Sequence, residues 1–371
     1  MKTTVTAIVA ALVLLAGQQR GMAEQPGQDL TGGYFNSTDP GSLLVRGQQG
    51  EPLFPQAIGG DPCADCCPYC WQGFGEFLYL RAGNAEITYG MPTESLVTPL
   101  AVGRVGVVDT DYQPAFRAGV ARRLDECSTI GVSYTQFESS SIDELHVFDP
   151  QVLYPLVLNP AVLATDPVWR DAYARHDIDF RLIDADYRYS FVCESRCDAA
   201  VLIGARYLNL EQAASIAFYA PAMDTIGDEY LFTNVNFDGG GIRLGLEGER
   251  RAANCGLLAY GKTAASFVAG EFRADLFQAR GIQGGAIPIV DTSWRATRLV
   301  SMLDLEVGVG WTALDGRLRL TGGYMISGWF NTVRSTDWIR AVQTNDFASL
   351  SAGADKVMTF DGIVGRAELR F

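Results

Sequence analysis

The sequence predicts an all-β protein, an antiparallel transmembrane β-barrel of about ten strands with short periplasmic turns and long extracellular loops. First, apolar residues recur at every second position in segment after segment, which is the signature of strands. Second, the connections between these segments alternate between short and long, as in outer-membrane barrels. Third, an export signal precedes them, and no later stretch reaches the ~18 consecutive apolar residues that a transmembrane helix needs.

Residues 1–23 have the composition of a secretory signal peptide. Lys2 supplies the positive start, an apolar run follows over 5–17, and Gly21 and Ala23 place small residues where a signal peptidase cleaves. The apolar run is too short for a membrane anchor. We therefore expect an exported protein, with an N-terminal anchor helix as the alternative.

Residues 24–70 are predicted to form a flexible linker that ends in a cysteine cluster. The part before the cluster is rich in Gly, Pro, Gln and Asp and has no sustained periodicity. Four thiolates at C-x-x-C spacing could hold zinc, but an oxidising compartment favours disulfides within or between chains. The disulfide candidates in the cluster are Cys63, Cys66, Cys67 and Cys70, and those at predicted short turns are Cys127, Cys193, Cys197 and Cys255. Their connectivity stays open, although Cys193 and Cys197 could pair locally.

Residues 71–371 carry the period-two pattern that predicts the barrel. In 303–311, for example, apolar residues occupy one face while Asp304 and Glu306 lie on the other, and a helix would scatter the two acids among the apolar residues. The predicted strands are 72–82, 113–124, 128–138, 178–192, 199–210, 239–249, 256–268, 296–311, 316–330 and 359–371. Strands of this length cross a membrane when tilted.

The connections predict which end of the barrel faces the periplasm. Short turns are expected at 125–127, 193–198, 250–255 and 312–315, and long loops at 83–112, 139–177, 211–238, 269–295 and 331–358. Short turns and both termini mark the periplasmic side. A further hairpin around 142–147 or 230–237 would raise the count to twelve strands.

Tryptophans are expected to form girdles at the two membrane interfaces. Trp71 and Trp311 lie at the periplasmic ends of their predicted strands, and Trp294 and Trp329 lie near the loop ends. A soluble β-sandwich with a scattered aromatic core is the alternative. A sandwich, however, would not place acids and arginines on the second face of nearly every strand.

Composition limits the partners. The chain has 29 basic and 43 acidic residues, a net charge of −14, whereas nucleic-acid-binding surfaces are basic, so we expect no nucleic-acid partner. The two histidines, His146 and His176, cannot build a multi-histidine metal site. We predict no metal and no cofactor.

Several blocks of the sequence resemble the Legionella-type major outer membrane protein family of pore-forming barrels. These blocks are 71–80, 182–188, 203–207, 237–245, 305–308, 322–324 and 360–371. Together they span residues 71–371, nearly the whole chain after the linker, whereas the cysteine-rich linker departs from what we would expect of every member. The resemblance implies a porin-like role in the outer membrane of a Gram-negative-type bacterium and supplies no catalytic residues. It also implies that Phe371 ends a strand like the signal that the outer-membrane assembly machinery reads.

Charged residues of both signs are predicted to line the lumen and to influence which ions or solutes pass. The candidates are Arg117, Asp184, Asp186, Arg188, Arg206, Arg243, Glu247, Asp304, Glu306, Arg317, Arg319, Arg366, Glu368 and Arg370. The predicted function is a porin-like channel for ions or small polar solutes, surrounded by outer-membrane lipid, with a homo-oligomer left open. The alternative is a closed structural or binding barrel whose charges pair and whose acidic loops hold cations or surface glycans, because side chains can fill a small barrel.

An enzyme is the third hypothesis, and we predict that the protein is not one. His146 and His176 lie near acids in the predicted loop 139–177, where a histidine–carboxylate pair could act as a general base, but no G-x-S-x-G motif accompanies them. Residues 256–263 match a phosphate-binding loop pattern without its strand-to-helix context. We expect a barrel strand there, with Lys262 in the lumen.

Overall fold

The computed structural model of the protein describes residues 70–94, 100–161, 168–193, 196–221, 227–252, 256–282, 285–351, 353 and 356–371. The predicted signal peptide and nearly all of the linker lie outside these residues. The described chain forms a closed antiparallel β-barrel of ten strands, which confirms the predicted fold class.

Ten strands form the barrel, and three short strands form a separate sheet. The barrel strands are β1 (Trp71–Gly83), β4 (Gln113–Arg123), β5 (Ser128–His146), β7 (Asp171–Cys193), β8 (Cys197–Tyr219), β9 (Glu229–Arg251), β10 (Leu257–Ile282), β11 (Gly285–Ala313), β12 (Leu318–Phe330) and β13 (Val357–Arg370). Around the barrel the order is β1-β13-β12-β11-β10-β9-β8-β7-β5-β4, and β4 pairs with β1 to close it. The small sheet contains β2 (Ile87–Thr93), β3 (Gly106–Val108) and β6 (Val152–Pro155).

Strands β7 to β11 are much longer than the sequence predicts, with 23 to 29 residues each. A transmembrane strand needs about 9–11 residues, so these five strands extend beyond the membrane as a continuous wall. The predicted loops 211–238 and 269–295 are therefore wrong, because most of their residues belong to strands. Residues 142–146 belong to β5 and residues 230–237 to β9, so the hairpins considered around 142–147 and 230–237 add no further barrel strand.

A band of outward-facing apolar residues marks the part of the barrel that contacts lipid. Ile203, Ile242, Val309 and Ile363 each expose more than half of their surface on the outside of the barrel. Beyond this band the outward positions become polar, as at Arg273 of β10, while the inward positions stay apolar. A strand above the membrane needs no lipid-facing residues. The pattern of an apolar outer face and a polar inner face is therefore reversed in this part of the barrel, and the sequence prediction assigned these residues to loops.

The tryptophan prediction is half wrong. Trp71 and Trp311 lie on the outer surface at the short-turn end, as expected for an interfacial girdle. Trp329, however, is fully buried inside the barrel, and Trp294 packs against Trp338 of the internal core. The structure therefore uses these two indoles to fill the lumen and not to anchor the loop end in the interface.

The extracellular half of the barrel encloses an apolar core to which the connections contribute. We call β2, β3, β6 and the helix α1 (Ser335–Thr344) the plug. Trp338, Ile339 and Val342 form the buried face of α1, and Asn345 ends the helix in a left-handed conformation with a φ of 52°. The sequence prediction missed this helix, because a search for the period-two pattern of strands does not detect the 3.6-residue period of a helix. Among the described residues no helix is long and apolar enough to span a membrane.

Candidate functional site: a charged chamber closed by an aromatic septum

The periplasmic half of the lumen contains a cavity of about 260 Å³, which we call the chamber. It runs from Arg123, Arg251 and Arg370 at the short-turn end to Asp304 and Met325 deeper in the barrel. Its lining carries nine acidic and nine basic side chains. The chamber is therefore strongly polar but has no net charge that would favour ions of one sign.

Most of the predicted lumen residues line this chamber. They are Arg117, Asp184, Asp186, Arg188, Arg243, Glu247, Asp304, Glu306, Arg319, Arg366, Glu368 and Arg370. Arg206 lies behind the lining, buried in an ion pair, and Lys262 lies in the lining. Arg317 is an exception, because it is exposed in the turn between β11 and β12 and does not face the chamber.

Sequence reasoning missed Glu76, whose carboxylate is buried in the middle of the lining. Phe77 and Tyr79 face lipid, so Glu76 shares the inner face of β1 with Leu78 and Leu80. The alternation along β1 does not show which face is inward, because both faces of this strand carry large apolar residues.

Arg206 is almost fully buried, with 2% of its side chain exposed, and lies at the centre of a group of ion pairs. Its guanidinium donates to both oxygens of Asp184 on the neighbouring strand β7, at 2.7 and 2.9 Å. It also donates to Asp304 on β11, three strands away, at 2.7 Å. Buried charges are tolerated when they are paired and hydrogen-bonded, and this arrangement meets both conditions.

A second group of ion pairs surrounds Glu76. Its two oxygens accept from Arg117 at 2.8 Å and from Arg366 at 3.0 Å. Arg117 also lies 3.9 Å from Glu306, which Lys262 contacts at 3.0 Å. These pairs connect β4, β1 and β13 to β11 and β10. The side chains of the chamber thus hold one another across the lumen.

An aromatic cluster closes the lumen above the chamber, and we call its four residues, Phe137, Phe180, Trp329 and Phe360, the septum. The Phe180 and Trp329 ring centroids are 5.1 Å apart. Their strands, β7 and β12, are five places apart in a ring of ten and therefore lie opposite each other. Phe360 contacts both rings, at 4.8 and 4.6 Å, and Phe137 contacts Phe180 at 5.2 Å. All four rings are buried and they bridge opposite walls, so they fill the lumen at this level.

The plug lies on the extracellular side of the septum and is attached to the barrel wall. Gln212 of β8 is fully buried, and its amide donates to the carbonyl of Val333 at 2.9 Å. Tyr89 of β2 donates to Asp143 at 3.0 Å, and burial together with this carboxylate raises the pKa of the Tyr89 hydroxyl. Polar contacts of this kind fix the plug in one position.

The cysteines that the structure describes lie at the short-turn end of the barrel, with Cys70 before β1, Cys127 between β4 and β5, and Cys197 at the start of β8. The carbonyl of Cys70 accepts from the Arg123 amide, and that of Cys127 accepts from the Ser190 amide, both at 2.8 Å. Cys197 is exposed, and its sulfur forms no disulfide within the described residues. Cys63, Cys66, Cys67, Cys255 and the side chain of Cys193 lie outside the described residues, so the disulfides stay predictions.

The turn between β4 and β5 shows why a sequence of Asp, Glu and Cys folds tightly there. The Asp125 carboxylate accepts from the backbone amides of Cys127 and Ser128, at 2.8 and 2.7 Å, and from the Ser128 hydroxyl at 2.6 Å. These bonds, the hydroxyl's first, lower the pKa of Asp125.

The C-terminal residue completes the periplasmic rim. Phe371 and Trp71 exchange both backbone hydrogen bonds, at 2.8 and 2.9 Å, and the Phe371 side chain is exposed. Recognition of Phe371 by the outer-membrane assembly machinery stays a prediction.

The two histidines lie on strands and not in a loop, contrary to the sequence prediction. His146 is at the exposed end of β5, beside Asp171. His176 faces the internal core, with 1% of its surface exposed, and neither ring nitrogen has a hydrogen-bond partner in the described chain. The structure therefore does not bring them together as one site. Residues 257–263 belong to β10 and not to a phosphate-binding loop.

The described residues contain no group of three or more His, Cys, Asp or Glu side chains arranged to hold a metal ion.

Residues 64–353 match the family model described as Legionella pneumophila major outer membrane protein precursor. No curated protein matches the chain.

Solved structures with a similar fold include the outer membrane protease OmpT of Escherichia coli. It is 10% identical, with a TM-score of 0.43, over 81% of this chain and 97% of that chain. The Pseudomonas putida toluene transporter TodX is 6% identical, with a TM-score of 0.26, over 84% and 92% of the two chains. A Pseudomonas aeruginosa FadL homologue is 7% identical, with a TM-score of 0.22, over 82% and 90%. At these values the likenesses carry no argument about function.

Proposed function

The chain belongs to the family of the Legionella pneumophila major outer membrane protein, and from this premise we propose that it is a porin-like channel described here in its closed state. The channel would carry ions and small polar solutes through the charge-lined chamber. The observation that carries the proposal is the chamber, a polar cavity on the periplasmic side of the septum whose lining carries eighteen charged side chains.

The chamber supports passage of polar solutes. Its paired charges offer donors and acceptors that can replace the water a solute loses on entry. Equal numbers of acidic and basic side chains favour neither cations nor anions. We therefore expect weak charge selectivity once the septum is displaced.

A chain of hydrogen bonds connects the septum to the charged side chains of the chamber. This connection supports the proposal that the chamber influences the position of the septum. Trp329 donates from its indole to the Ser327 hydroxyl at 2.8 Å, and this hydroxyl donates to Asp304 at 2.5 Å. Asp304 also accepts from Arg206. A solute that competes for Asp304 would weaken the bond that orients Trp329.

A closed structural barrel is the second candidate, and the contact between opposite walls favours it. Side chains fill a barrel of about eight strands, and ten strands leave little more room. In that case the ion pairs serve to hold the walls together and the septum never moves.

Conductance in planar bilayers separates the two candidates. We expect wild-type protein to give rare discrete steps, and the double variant Phe180→Ala/Trp329→Ala to raise the open fraction at least tenfold. Phe267→Ala, which removes a lipid-facing ring of β10, is the matched control and should behave like wild type. Resistance to detergent before boiling would confirm that each variant is folded. A folded, inserted double variant that stays silent would favour the structural barrel.

A further inference from the structure

Two rows of side chains cross the outer face of the extracellular wall, and they form a groove that the channel does not use. The first row follows the strand register from β7 to β11 through Asp177, Ala213, Asn234, Asp275 and Ser293. The second row, one step further from the membrane, contains Arg175, Ser215, Phe232, Phe277 and Asp291. We call the two rows together the outer groove.

The outer groove is a concave surface with a volume of about 340 Å³. The floor of the groove is formed by two small residues of β8, Ala213 and Ser215. Larger side chains on β7 and on β9 to β11 form its walls. The volume falls within the ~300–1,000 Å³ usual for small-molecule sites. Since the outside of a barrel is normally convex, a depression built on strands is a distinct feature.

Phe232 and Phe277 are the unusual members of the outer groove. They are direct partners across β9 and β10 and expose 49% and 39% of their surface. Neither faces lipid, because each lies ten residues beyond the nearest residue of the apolar band on its own strand, Ile242 or Phe267. At ~3.3 Å per residue and the usual strand tilt, this places the rings roughly 25 Å above that band.

A polar belt separates the two rings from the lipid-facing residues. On β9 it includes Asn236 and Asp238, and on β10 it includes Glu271 and Arg273. A pair of exposed rings in water, on rigid strands and away from lipid, is the kind of surface that marks a binding site.

The polar atoms of the outer groove define the chemistry of its ligand. Asp177, Asp275 and Asp291 supply carboxylates, which only accept hydrogen bonds, and the Asn234 side-chain oxygen is buried without a partner in the described chain. A ligand must therefore offer many donors, and the three carboxylates would repel phosphate and other anions. Arg175 contacts Asp177 at 3.0 Å and neutralises one of the three carboxylates.

We propose that the outer groove binds a sugar unit of a neutral glycan. A pyranose has an apolar C–H face that packs on aromatic rings, here Phe232 and Phe277, and an edge of hydroxyl donors that would meet Asn234 and Asp275. The site is independent of the channel, because every residue of the outer groove points away from the lumen. The glycan belongs either to the surrounding outer leaflet or to material outside the cell, and both present the same chemistry.

The test uses the full chain in lipid nanodiscs and two neutral probes, maltohexaose and a dephosphorylated outer-core hexose oligosaccharide of lipopolysaccharide that lacks the acidic sugars of the inner core. Isothermal titration calorimetry should detect binding of at least one probe, and the probe that binds identifies the source. Phe232→Ala/Phe277→Ala should weaken binding at least tenfold, and Asp275→Ala several-fold. Both changes are at exposed outer positions, so conductance and resistance to detergent should match wild type.

Phe148→Ala is the matched control, because Phe148 is an exposed phenylalanine on the extracellular side but outside the outer groove. It should bind the probe as wild type does. Failure of both probes to bind, or equal binding by the double phenylalanine variant, would overturn the proposal. Binding of polylysine alone, abolished by salt, would also overturn it and would identify a cation site.

Discussion

Trp329 of the septum and Arg206 of the ion-pair network are joined by only two side chains, Ser327 and Asp304. Every bond in this chain involves a buried or partly buried group, so water competes poorly for the partners. The orientation of the indole and the position of the guanidinium are therefore coupled. This coupling makes the network relevant to closure of the lumen as well as to stability.

Arg206→Met should destabilise the barrel by about 3–5 kcal/mol, since it leaves Asp184 and Asp304 without their shared partner. Urea unfolding in lipid vesicles, followed by tryptophan fluorescence, measures the change. Arg273→Met removes an exposed arginine that pairs with Glu271 on the outer face and should cost less than about 1 kcal/mol. Equal stability of the two variants would mean that the buried pairs add nothing.

Two glycines of β13 should respond to alanine with opposite signs. A Cβ at Gly362 would collide with the Tyr79 carbonyl oxygen of the paired strand, whereas a Cβ at Gly365 meets nothing within 4 Å. Gly362→Ala should therefore cost about 1–3 kcal/mol, and Gly365→Ala should gain up to about 1 kcal/mol by restricting the unfolded chain. The same urea titration tests both, and a tolerated Gly362→Ala would show that β1 and β13 can separate without penalty.

Epitope insertions should report the orientation of the barrel. An epitope after Pro150, in the connection between β5 and β6, should bind antibody on intact cells. An epitope after Gly316, in the short turn between β11 and β12, should bind only after the outer membrane is permeabilised. Both insertions leave the barrel strands intact. The reverse pattern of labelling would invert the assignment of periplasmic and extracellular ends.

The sequence was sufficient for the barrel wherever the two faces of a strand differ in polarity. In 303–311 the apolar residues meet lipid and the acids meet the chamber, so alternation alone gives the strand and its orientation. It failed at Glu76, because apolar residues lie on both faces of β1. It also failed above the membrane, where a strand such as β10 has a polar outer face and an apolar core inside.

The septum could not be predicted, because it depends on which strands lie opposite each other in the closed ring. Phe180 and Trp329 are far apart in sequence, and nothing local indicates that their rings meet. Alternation places both on inward faces, but the diameter of the barrel decides whether inward rings line an open pore or touch. The charged lumen residues could be predicted as a set because each depends only on its own strand. A charged side chain in the membrane-spanning part must point away from lipid, whichever strands lie opposite it.

Gln212→Leu should release α1 from the wall without opening the barrel strands. Gln212 donates to the Val333 carbonyl at 2.9 Å and accepts from the Ser335 amide at 3.3 Å, so leucine leaves two buried backbone groups unpaired. Each such group costs about 1–3 kcal/mol, which is enough to favour a displaced segment that water can hydrate. Hydrogen exchange should therefore quicken over 333–342 while β7 to β9 keep their protection.

Gln136→Leu is the matched control for this variant, because Gln136 lies on the outer side of β5 and its amide contacts the neighbouring Glu138 on the same face. It should leave exchange over 333–342 unchanged. Unaltered protection of α1 in Gln212→Leu would show that the apolar contacts of Trp338 and Ile339 hold the helix by themselves. The plug would then be fixed by its core, and the polar contacts to the wall would only set its register.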